Sequence, residues 1–234
     1  MMQLLALSSS KVNNSDYLVP YLPWIKQHLN GCSRLLFVPY AGVSIDFDAY
    51  QAKVAEALAP IDITVDSLHR FDNPATAIEQ AEAILVGGGN TFALLQRLQQ
   101  LNLLDLIKKR VTKELPYIGW SAGANLTGLS IRTTNDMPIV QPESFEALGL
   151  LPFQLNPHYT NQHPADFHGE TRDMRLAEFM VLEPEMPIIA LPEGSALVRQ
   201  GNQLTVLGEP GAYQFLAGNK AALGAGSDLS ALLV

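Results

Sequence analysis

The segment YIGWSAGAN, residues 117–125, places a serine between two glycines directly after a short apolar run. The run 117–120 predicts a buried strand, and Ala122 and the residues after it can begin a helix. The five residues from Gly119 to Gly123 match the pattern G-x-S-x-G, in which a sharp strand-to-helix turn exposes a serine hydroxyl. The segment therefore predicts an α/β fold with Ser121 at the carboxyl edge of a sheet.

Short apolar segments alternate with helical patterns through the first half of the chain. The predicted strands are residues 4–7, 34–40, 61–68, 83–86 and 117–120. The predicted helices between them are residues 17–29, 47–58, 91–101 and 103–112. Strands that alternate with helices favour a mostly parallel sheet covered by helices on both faces. We therefore predict a three-layer, flavodoxin-like α/β fold.

The last third of the chain carries closely spaced strand patterns instead. Strands are predicted at residues 188–191, 196–199, 204–207 and 213–216. Because Gly201 and Asn202 form a turn signal between the second and third of these, we expect a hairpin and an antiparallel extension at one edge of the sheet. No internal repeat, low-complexity tract or charged linker interrupts the sequence, which predicts one domain over residues 1–234.

Composition and charge narrow the class of partner. The 234 residues carry a formal net charge of −8 without a basic cluster, which disfavours binding to nucleic acid or anionic lipid. No run approaches the ~18 apolar residues that a membrane span needs, and the N-terminal MMQLLALSSSK is interpreted as a first strand. Cys32 is the only cysteine, which excludes a multi-cysteine metal site and suits a reducing cytoplasm. We therefore expect a cytoplasmic protein with a small-molecule ligand, and leave its oligomeric state open.

A nucleophilic serine needs a base, and the base needs an orienting acid. His158, in LNPHYT after the apolar residues 150–155, lies at a predicted strand end and is the first candidate for the base. Glu193, in ALPEG, follows another predicted strand, and Asp136, in TTNDMP, lies 15 residues after Ser121; either could orient the histidine. Alternatively, Ser121 would only cap a buried helix between packing glycines. The other histidines are less well placed, His163 and His168 being in the polar segment 160–171 and the remaining two being His28 and His69.

A second glycine cluster, VGGGNT at residues 86–91, also lies between a predicted strand and a predicted helix. Viewed alone it could be a phosphate-binding loop, because glycine-rich turns expose N–H groups at a helix N-terminus. It lacks the full G-x-G-x-x-G pattern, and no G-K-[ST] follows. We therefore favour an oxyanion hole in which the N–H group of Gly88 or Gly89 lies opposite that of Ala122.

Several long blocks resemble the peptidase E family, the cytoplasmic aspartyl dipeptidases of bacteria. The blocks are VGGGNTF, YIGWSAGAN, IRTTNDMPIV, NPHYTN, GETRDMR and LPEGSAL, preceded by FVPYAGV and HRFDNP, and they cover nearly the whole chain in the family's order. The resemblance implies a serine peptidase that removes N-terminal aspartate from dipeptides, on a sheet similar to that of class I glutamine amidotransferases. It implies Ser121 as the nucleophile and His158 as the base, with Asp136 or Glu193 as the third member. We favour Glu193 because it lies on a braced turn at a strand end.

The implied preference for aspartate requires a cation for the β-carboxylate. Arg172, in GETRDMR, is the first candidate because a guanidinium can bind a carboxylate through two hydrogen bonds, and Arg132 is the second. Asp136 or Glu170 would accept the substrate's free amino group. We expect no cofactor and no metal, since the histidines lack the H-E-x-x-H arrangement of a zinc site. Two alternatives stay open: a cyanophycinase-like hydrolase of an aspartate-rich polymer, and a non-catalytic flavodoxin-like module that binds a nucleotide.

Overall fold

The computed structural model describes residues 1–164, 166 and 168–233, so Ala165 and Phe167 of the polar segment 160–171, and Val234, lie outside the described residues. The strands are β1 (Gln3–Leu7), β2 (Arg34–Val38), β3 (Thr64–Ser67), β4 (Ile84–Val86), β5 (Tyr117–Trp120), β6 (Gln154–Asn156), β7 (Ile188–Ala190), β8 (Ala196–Gln200), β9 (Gln203–Leu207), β10 (Ala212–Leu216) and β11 (Asn219–Leu223). The α-helices are α1 (Leu22–Leu29), α2 (Phe47–Leu58), α3 (Pro74–Gln80), α4 (Thr91–Gln100), α5 (Leu104–Lys113), α6 (Ala122–Asn125) and α7 (Arg172–Leu182). Within these described ranges, no helix is both long and apolar enough to span a lipid bilayer.

The main sheet has the strand order β3-β2-β4-β5-β1-β8-β9, and strands β1 to β5 run parallel to one another. Buried clusters cover both of its faces. In β1, Leu4 and Ala6 belong to the cluster that includes α3, α4 and α5, whereas Leu5 and Leu7 belong to the cluster that includes α1 and α2. Because successive side chains of a strand point to opposite faces, a strand buried throughout needs helices on both sides. The predicted three-layer, mostly parallel α/β fold is confirmed.

Two predicted elements begin three or more residues later than their patterns indicated. The helix predicted from residue 17 begins at Leu22, because Leu18 adopts a left-handed φ of 61° and a short 3-10 turn spans Val19–Tyr21. The strand predicted from residue 61 begins at Thr64, because Asp62 has a φ of 59° and interrupts the extended backbone. Residues other than glycine adopt such angles rarely, so the apolar pattern alone could not indicate them. Neither shift changes the order of the elements.

The C-terminal strands divide between two sheets. β8 and β9 form the predicted hairpin, and β8 pairs antiparallel with β1 at the edge of the main sheet. The expectation that the strands at residues 188–191 and 213–216 join the same extension is wrong. β7 pairs in parallel with β6 and antiparallel with β10, in a second sheet of order β11-β10-β7-β6. Parallel pairing of β6 with β7 requires a crossover connection, and α7 lies in that connection.

The strand order of the main sheet reverses beside β2, whose neighbours β3 and β4 lie on opposite sides of it. The loops that follow β2 and β4 therefore lead away from each other and leave a crevice at the carboxyl ends of the strands. Ligands of open α/β sheets bind in crevices of this kind. The fold thus places a candidate site beside the carboxyl ends of β2, β4 and β5.

Candidate active site

Ser121 lies on a strained turn between β5 and α6. Its φ of 53° and ψ of −113° lie outside the regions that residues with side chains normally occupy; such a conformation costs on the order of 1–3 kcal/mol. The surroundings hold it in place: Ser121 N–H donates to Leu7 O at 3.1 Å, and Ser121 O accepts from Asn125 N at 2.8 Å. At Gly123, a Cβ atom would collide with the carbonyl group of Val86. The structure thus contains the strand-to-helix turn that the G-x-S-x-G pattern predicted.

His158 and Glu193 follow β6 and β7, and these parallel strands bring both residues to the same end of the second sheet. His158 Nδ1 lies 2.8 Å from Glu193 Oε1. The His158 N–H donates to Ser8 Oγ at 3.0 Å, and Ser8 Oγ donates to Leu191 O at 2.7 Å. Because Nδ1 faces the carboxylate, Nε2 is the ring nitrogen left for a second partner. The imidazole is therefore oriented by a carboxylate from the adjoining strand.

The second acidic candidate, Asp136, accepts hydrogen bonds at the N-terminus of α4. Its Oδ2 accepts from Thr91 N at 2.7 Å, from Thr91 Oγ1 at 2.5 Å and from Thr134 Oγ1 at 3.3 Å. A carboxylate is favoured at this end of a helix, where N–H groups are free and the dipole is positive. Of the two acids that the sequence left open, Glu193 is the one that contacts His158.

Two cavities meet at Ser121, His158 and Asp136, because these three residues line both. The larger cavity, of about 600 Å³, lies in the crevice and is bounded by the loops after β2 and β4 and by α2. The smaller cavity, of about 190 Å³, is also lined by Ala122 and Arg172. A ligand bound at Ser121 therefore has a confined side and a roomier side.

The glycine loop after β4 contributes Gly88 and Gly89 to the wall of the larger cavity. Gly89 has a φ of +134°, and a Cβ atom there would overlap the carbonyl group of Ala41, so glycine is required. Asn90 N–H donates to Ala41 O at 2.8 Å, and Tyr50 OH donates to Gly88 O at 2.8 Å. These contacts fix the backbone of the loop against the loop after β2, on the cavity wall that includes Ser121.

Arg172, the first residue of α7, lies in the wall of the smaller cavity. Burial lowers the pKa of its guanidinium, and the charge of nearby Arg175 lowers it further. An arginine nevertheless keeps its charge in proteins. Its Nη1 donates to Asn156 Oδ1 at 3.4 Å, which aligns the side chain with the end of β6. The predicted cation for a substrate carboxylate therefore borders a cavity that Ser121 also lines.

The other two charged candidates have partners elsewhere. Arg132 lines a different cavity, where its Nη2 donates to Glu183 Oε1 at 3.0 Å and its guanidinium carbon lies 4.9 Å from the centroid of the Phe179 ring. Glu170 Oε2 lies 3.7 Å from Arg175 Nε. The structure therefore favours Arg172 over Arg132 as the cation at the site, and Asp136 over Glu170 as the nearby carboxylate.

Three polar residues that shape the site were missed in the sequence. Ser8 follows β1 and supports the main chain of His158. Asn156, the last residue of β6, is fully buried and accepts the hydrogen bond from Arg172. Asn125, at the end of α6, is buried and donates to Leu155 O at 2.5 Å. Ser8 and Asn156 stand at strand ends, so the rule that identified Ser121 could also have identified them.

A serine on a strained turn, lining the same cavities as a histidine oriented by a carboxylate, provides the groups that a serine hydrolase uses. Comparison with known proteins agrees, because the model of peptidase family S51 matches residues 4–207. The chain is 51% identical to a peptidase E of Shewanella denitrificans over 230 residues, which is 98% of each chain. It is 49% identical to a peptidase E of Shewanella putrefaciens, again over 98% of each chain. The chain therefore belongs to peptidase family S51, and it is a hydrolase of the serine peptidase class.

A solved structure shares the fold. A peptidase from an acI-B1 Actinobacterium superposes with a TM-score of 0.73 at 18% identity, covering 98% of this chain and 96% of that chain. At this level of identity the likeness concerns the fold, which is retained although most residues differ. The predicted resemblance to the peptidase E family is confirmed by the family match and by the relatives.

Proposed function

We propose that the chain is a dipeptidase that hydrolyses dipeptides with an N-terminal aspartate, Asp-Xaa. The observation that carries this proposal is the contact of 2.8 Å between His158 Nδ1 and Glu193 Oε1, with His158 and the strained Ser121 in the walls of the same two cavities. The relatives named peptidase E, at 51% and 49% identity, support a peptidase activity for this group. They favour it over the nucleotide-binding alternative.

In the proposed reaction, His158 Nε2 accepts the proton of the Ser121 hydroxyl while Oγ attacks the carbonyl carbon of the aspartyl residue. The C–N bond of the tetrahedral intermediate then breaks, and His158 gives the proton to the leaving amine. Water attacks the acyl-enzyme, with His158 again as the base, and this step releases aspartate and restores Ser121. Glu193 keeps Nδ1 protonated and stabilises the imidazolium that forms.

The oxyanion of the intermediate is proposed to bind the N–H groups of Gly89 and Ala122. Gly89 lines the larger cavity and Ala122 the smaller, so the two groups flank Ser121. Ala122 is the first residue of α6, and the first N–H groups of a helix lack partners within the helix. Loss of one such donor typically lowers kcat by about 100-fold or more.

The confined cavity is proposed to select aspartate. Its volume of about 190 Å³ suits a short acidic side chain, and Arg172 supplies the cation for the β-carboxylate. Asp136 lines the same cavity and is proposed to accept the free amino group of the substrate. An acetylated substrate has no charged amino group to pair with the Asp136 carboxylate, so it is expected to react poorly.

The proposal is tested by assaying Asp-Leu, Glu-Leu and N-acetyl-Asp-Leu with the wild type and with Ser121→Ala. We expect the wild type to cleave only Asp-Leu efficiently and the variant to cleave none of them. Activity that survives in Ser121→Ala would refute the nucleophile, and equal cleavage of the acetylated compound would refute the amine requirement. Cleavage of an aspartate-backbone polymer with indifference to Asp-Leu would establish the polymer hydrolase instead.

A further inference from the structure

The wall of the larger cavity carries a cation that the proposed reaction leaves unused. Lys53 lies in α2, three residues after Tyr50, and this spacing places both side chains on one side of the helix. Both residues line the larger cavity together with Ser121 and His158. Lys53 Nζ lies 4.2 Å from the centroid of the Tyr17 ring, a distance at which an aromatic face attracts a cation. The ammonium is therefore held at the cavity wall.

The aromatic residues beside Lys53 connect it to the glycine loop. Tyr17 OH donates to Tyr50 OH at 3.3 Å, and Tyr50 OH donates to Gly88 O at 2.8 Å. Burial raises the pKa of Tyr17 well above its usual range, and it raises the pKa of Tyr50 to about 12. Because both phenols stay neutral at neutral pH, neither offers the ammonium a counter-charge. The ammonium of Lys53 thus lies against a ring whose hydroxyl is linked by hydrogen bonds to the glycine loop.

The positive charge of Lys53 is available to a ligand. Within the described ranges Lys53 forms no ion pair, and no other lysine or arginine lines this cavity. Among the same residues, Asp136 is the one carboxylate in the lining, and its Oδ2 is already hydrogen-bonded at the N-terminus of α4. Ser10 and Ser44 also line the cavity and can donate from their hydroxyls. One ammonium with hydroxyl donors nearby suits a carboxylate ligand.

The proposed substrate carries two carboxylates, one on each side of the scissile bond. In Asp-Xaa these are the β-carboxylate of the first residue and the terminal α-carboxylate of the second. The two cavities meet at Ser121, with Arg172 in the wall of the smaller and Lys53 in the wall of the larger. When the aspartyl side chain occupies the smaller cavity, the leaving residue extends into the larger one. Its volume of about 600 Å³ also leaves room for second residues of different sizes.

We propose that the larger cavity binds the second residue of the substrate and that Lys53 pairs with its terminal α-carboxylate. This inference rests on the proposed dipeptidase function and names the group that recognises the leaving residue. It predicts a preference for dipeptides, because an amide or a longer peptide has no carboxylate at this position. In a chain with a net charge of −8, a local cation also offsets the repulsion of an acidic substrate.

The test compares Asp-Leu with Asp-leucinamide, which lacks the terminal charge, in the wild type, Lys53→Gln and Lys53→Arg. Lys53→Gln is expected to raise KM for Asp-Leu by roughly two- to fivefold, as for the loss of one exposed ion pair, with kcat nearly unchanged. KM for Asp-leucinamide should not change, and Lys53→Arg should keep the wild-type preference. Lys109 is an exposed lysine in α5, and Lys109→Gln is the charge-matched control. This variant should not change KM for either substrate.

The possible outcomes separate the two proposals. An increase in KM confined to Asp-Leu supports the carboxylate site at Lys53. An equal change for both substrates, or no change for either, overturns that site while the dipeptidase function stands. If the wild type cleaves neither compound, the proposed function fails, and the site at Lys53 falls with it. Thermal unfolding of each variant confirms that the comparison is made between folded proteins.

Discussion

Two groups of a serine, a histidine and a carboxylate can be compared in the described part of the chain. The group at the cavities, called the cavity group, comprises Ser121, His158 and Glu193. The group at the end of β3, called the β3 group, comprises Ser67, His69 and Asp48. In both groups a carboxylate oxygen lies 2.8 Å from a histidine nitrogen. In the β3 group the serine hydroxyl also lies 2.7 Å from the other ring nitrogen, so its hydrogen bonding resembles that of a catalytic triad.

The two serines differ in backbone strain and in access. Ser67 has an ordinary extended backbone, with φ −117° and ψ 132°, and is 1% exposed. Ser121 has a strained backbone and lines two cavities. A peptide carbonyl can reach Ser121, whereas the hydroxyl of Ser67 is enclosed. We infer that hydrogen bonding within such a group is not sufficient for the proposed chemistry, because the nucleophile must also face a cavity and donors for the oxyanion.

Removal of each serine hydroxyl gives the largest expected contrast. Ser121→Ala removes the proposed nucleophile and is expected to lower kcat for Asp-Leu by on the order of 10⁴-fold or more. Ser67→Ala is expected to keep kcat within about twofold and to lower only the stability, as for one lost hydrogen bond. Steady-state hydrolysis of Asp-Leu measures kcat for both variants, and thermal unfolding measures their stability. A large loss of activity in Ser67→Ala would contradict the inference that only the serine of the cavity group is reactive.

Neutralisation of the two carboxylates gives the next largest contrast. Glu193→Gln is expected to lower kcat by roughly 10²- to 10⁴-fold, because the charge that orients His158 and stabilises its imidazolium is lost. Asp48→Asn is expected to leave kcat nearly unchanged. Asp136→Asn serves as the second comparison and should raise KM more than it lowers kcat. If Asp136→Asn caused the larger loss of kcat and Glu193→Gln almost none, the assignment of the orienting acid would be reversed.

A substitution of the cation beside the cavity group is expected to have an intermediate effect. Arg172→Lys keeps the charge but removes the paired donors of the guanidinium, so KM for Asp-Leu should rise by about tenfold. Arg132→Lys is the matched control, because Arg132 bonds to Glu183 in a different cavity. Kinetics over a range of Asp-Leu concentrations separate KM from kcat. An equal change in KM for Arg172→Lys and Arg132→Lys would contradict the proposal that Arg172 binds the substrate carboxylate.

The smallest expected effect concerns the pH dependence of the β3 group. Hydrogen bonds from His69 and then from Arg70 lower the pKa of the Asp48 carboxyl. A carboxyl with a lowered folded pKa stabilises the fold above its unfolded pKa of about 3.9, and this contribution is lost as the pH falls through the folded pKa. The Tm of the wild type should therefore slightly exceed that of Asp48→Asn near about pH 6, and the difference should shrink toward about pH 3. A difference independent of pH would show that the charge of Asp48 contributes nothing.

The residues of the cavity group were predictable to different degrees. Ser121 was the easiest, because strand, turn and helix signals occur within nine consecutive residues. His158 and Glu193 were predictable as strand-end residues, but the choice between Glu193 and Asp136 was not. That choice depends on the parallel pairing of β6 with β7, and a short apolar pattern indicates a strand without indicating its neighbour. The same limit explains why the strands at 188–191 and 213–216 were placed in the wrong sheet.

The sequence by itself determined the alternation of strands and helices, the strained turn at Ser121 and the glycine loop, because these depend on residues that are close in the chain. The tertiary structure decided which acid contacts His158, that Arg172 and not Arg132 borders the smaller cavity, and that Lys53 borders the larger cavity together with Ser121. The physical reason is that such contacts join segments far apart in sequence. Their positions follow from how the two sheets and the helices pack together. The local periodicity of the sequence does not indicate that packing.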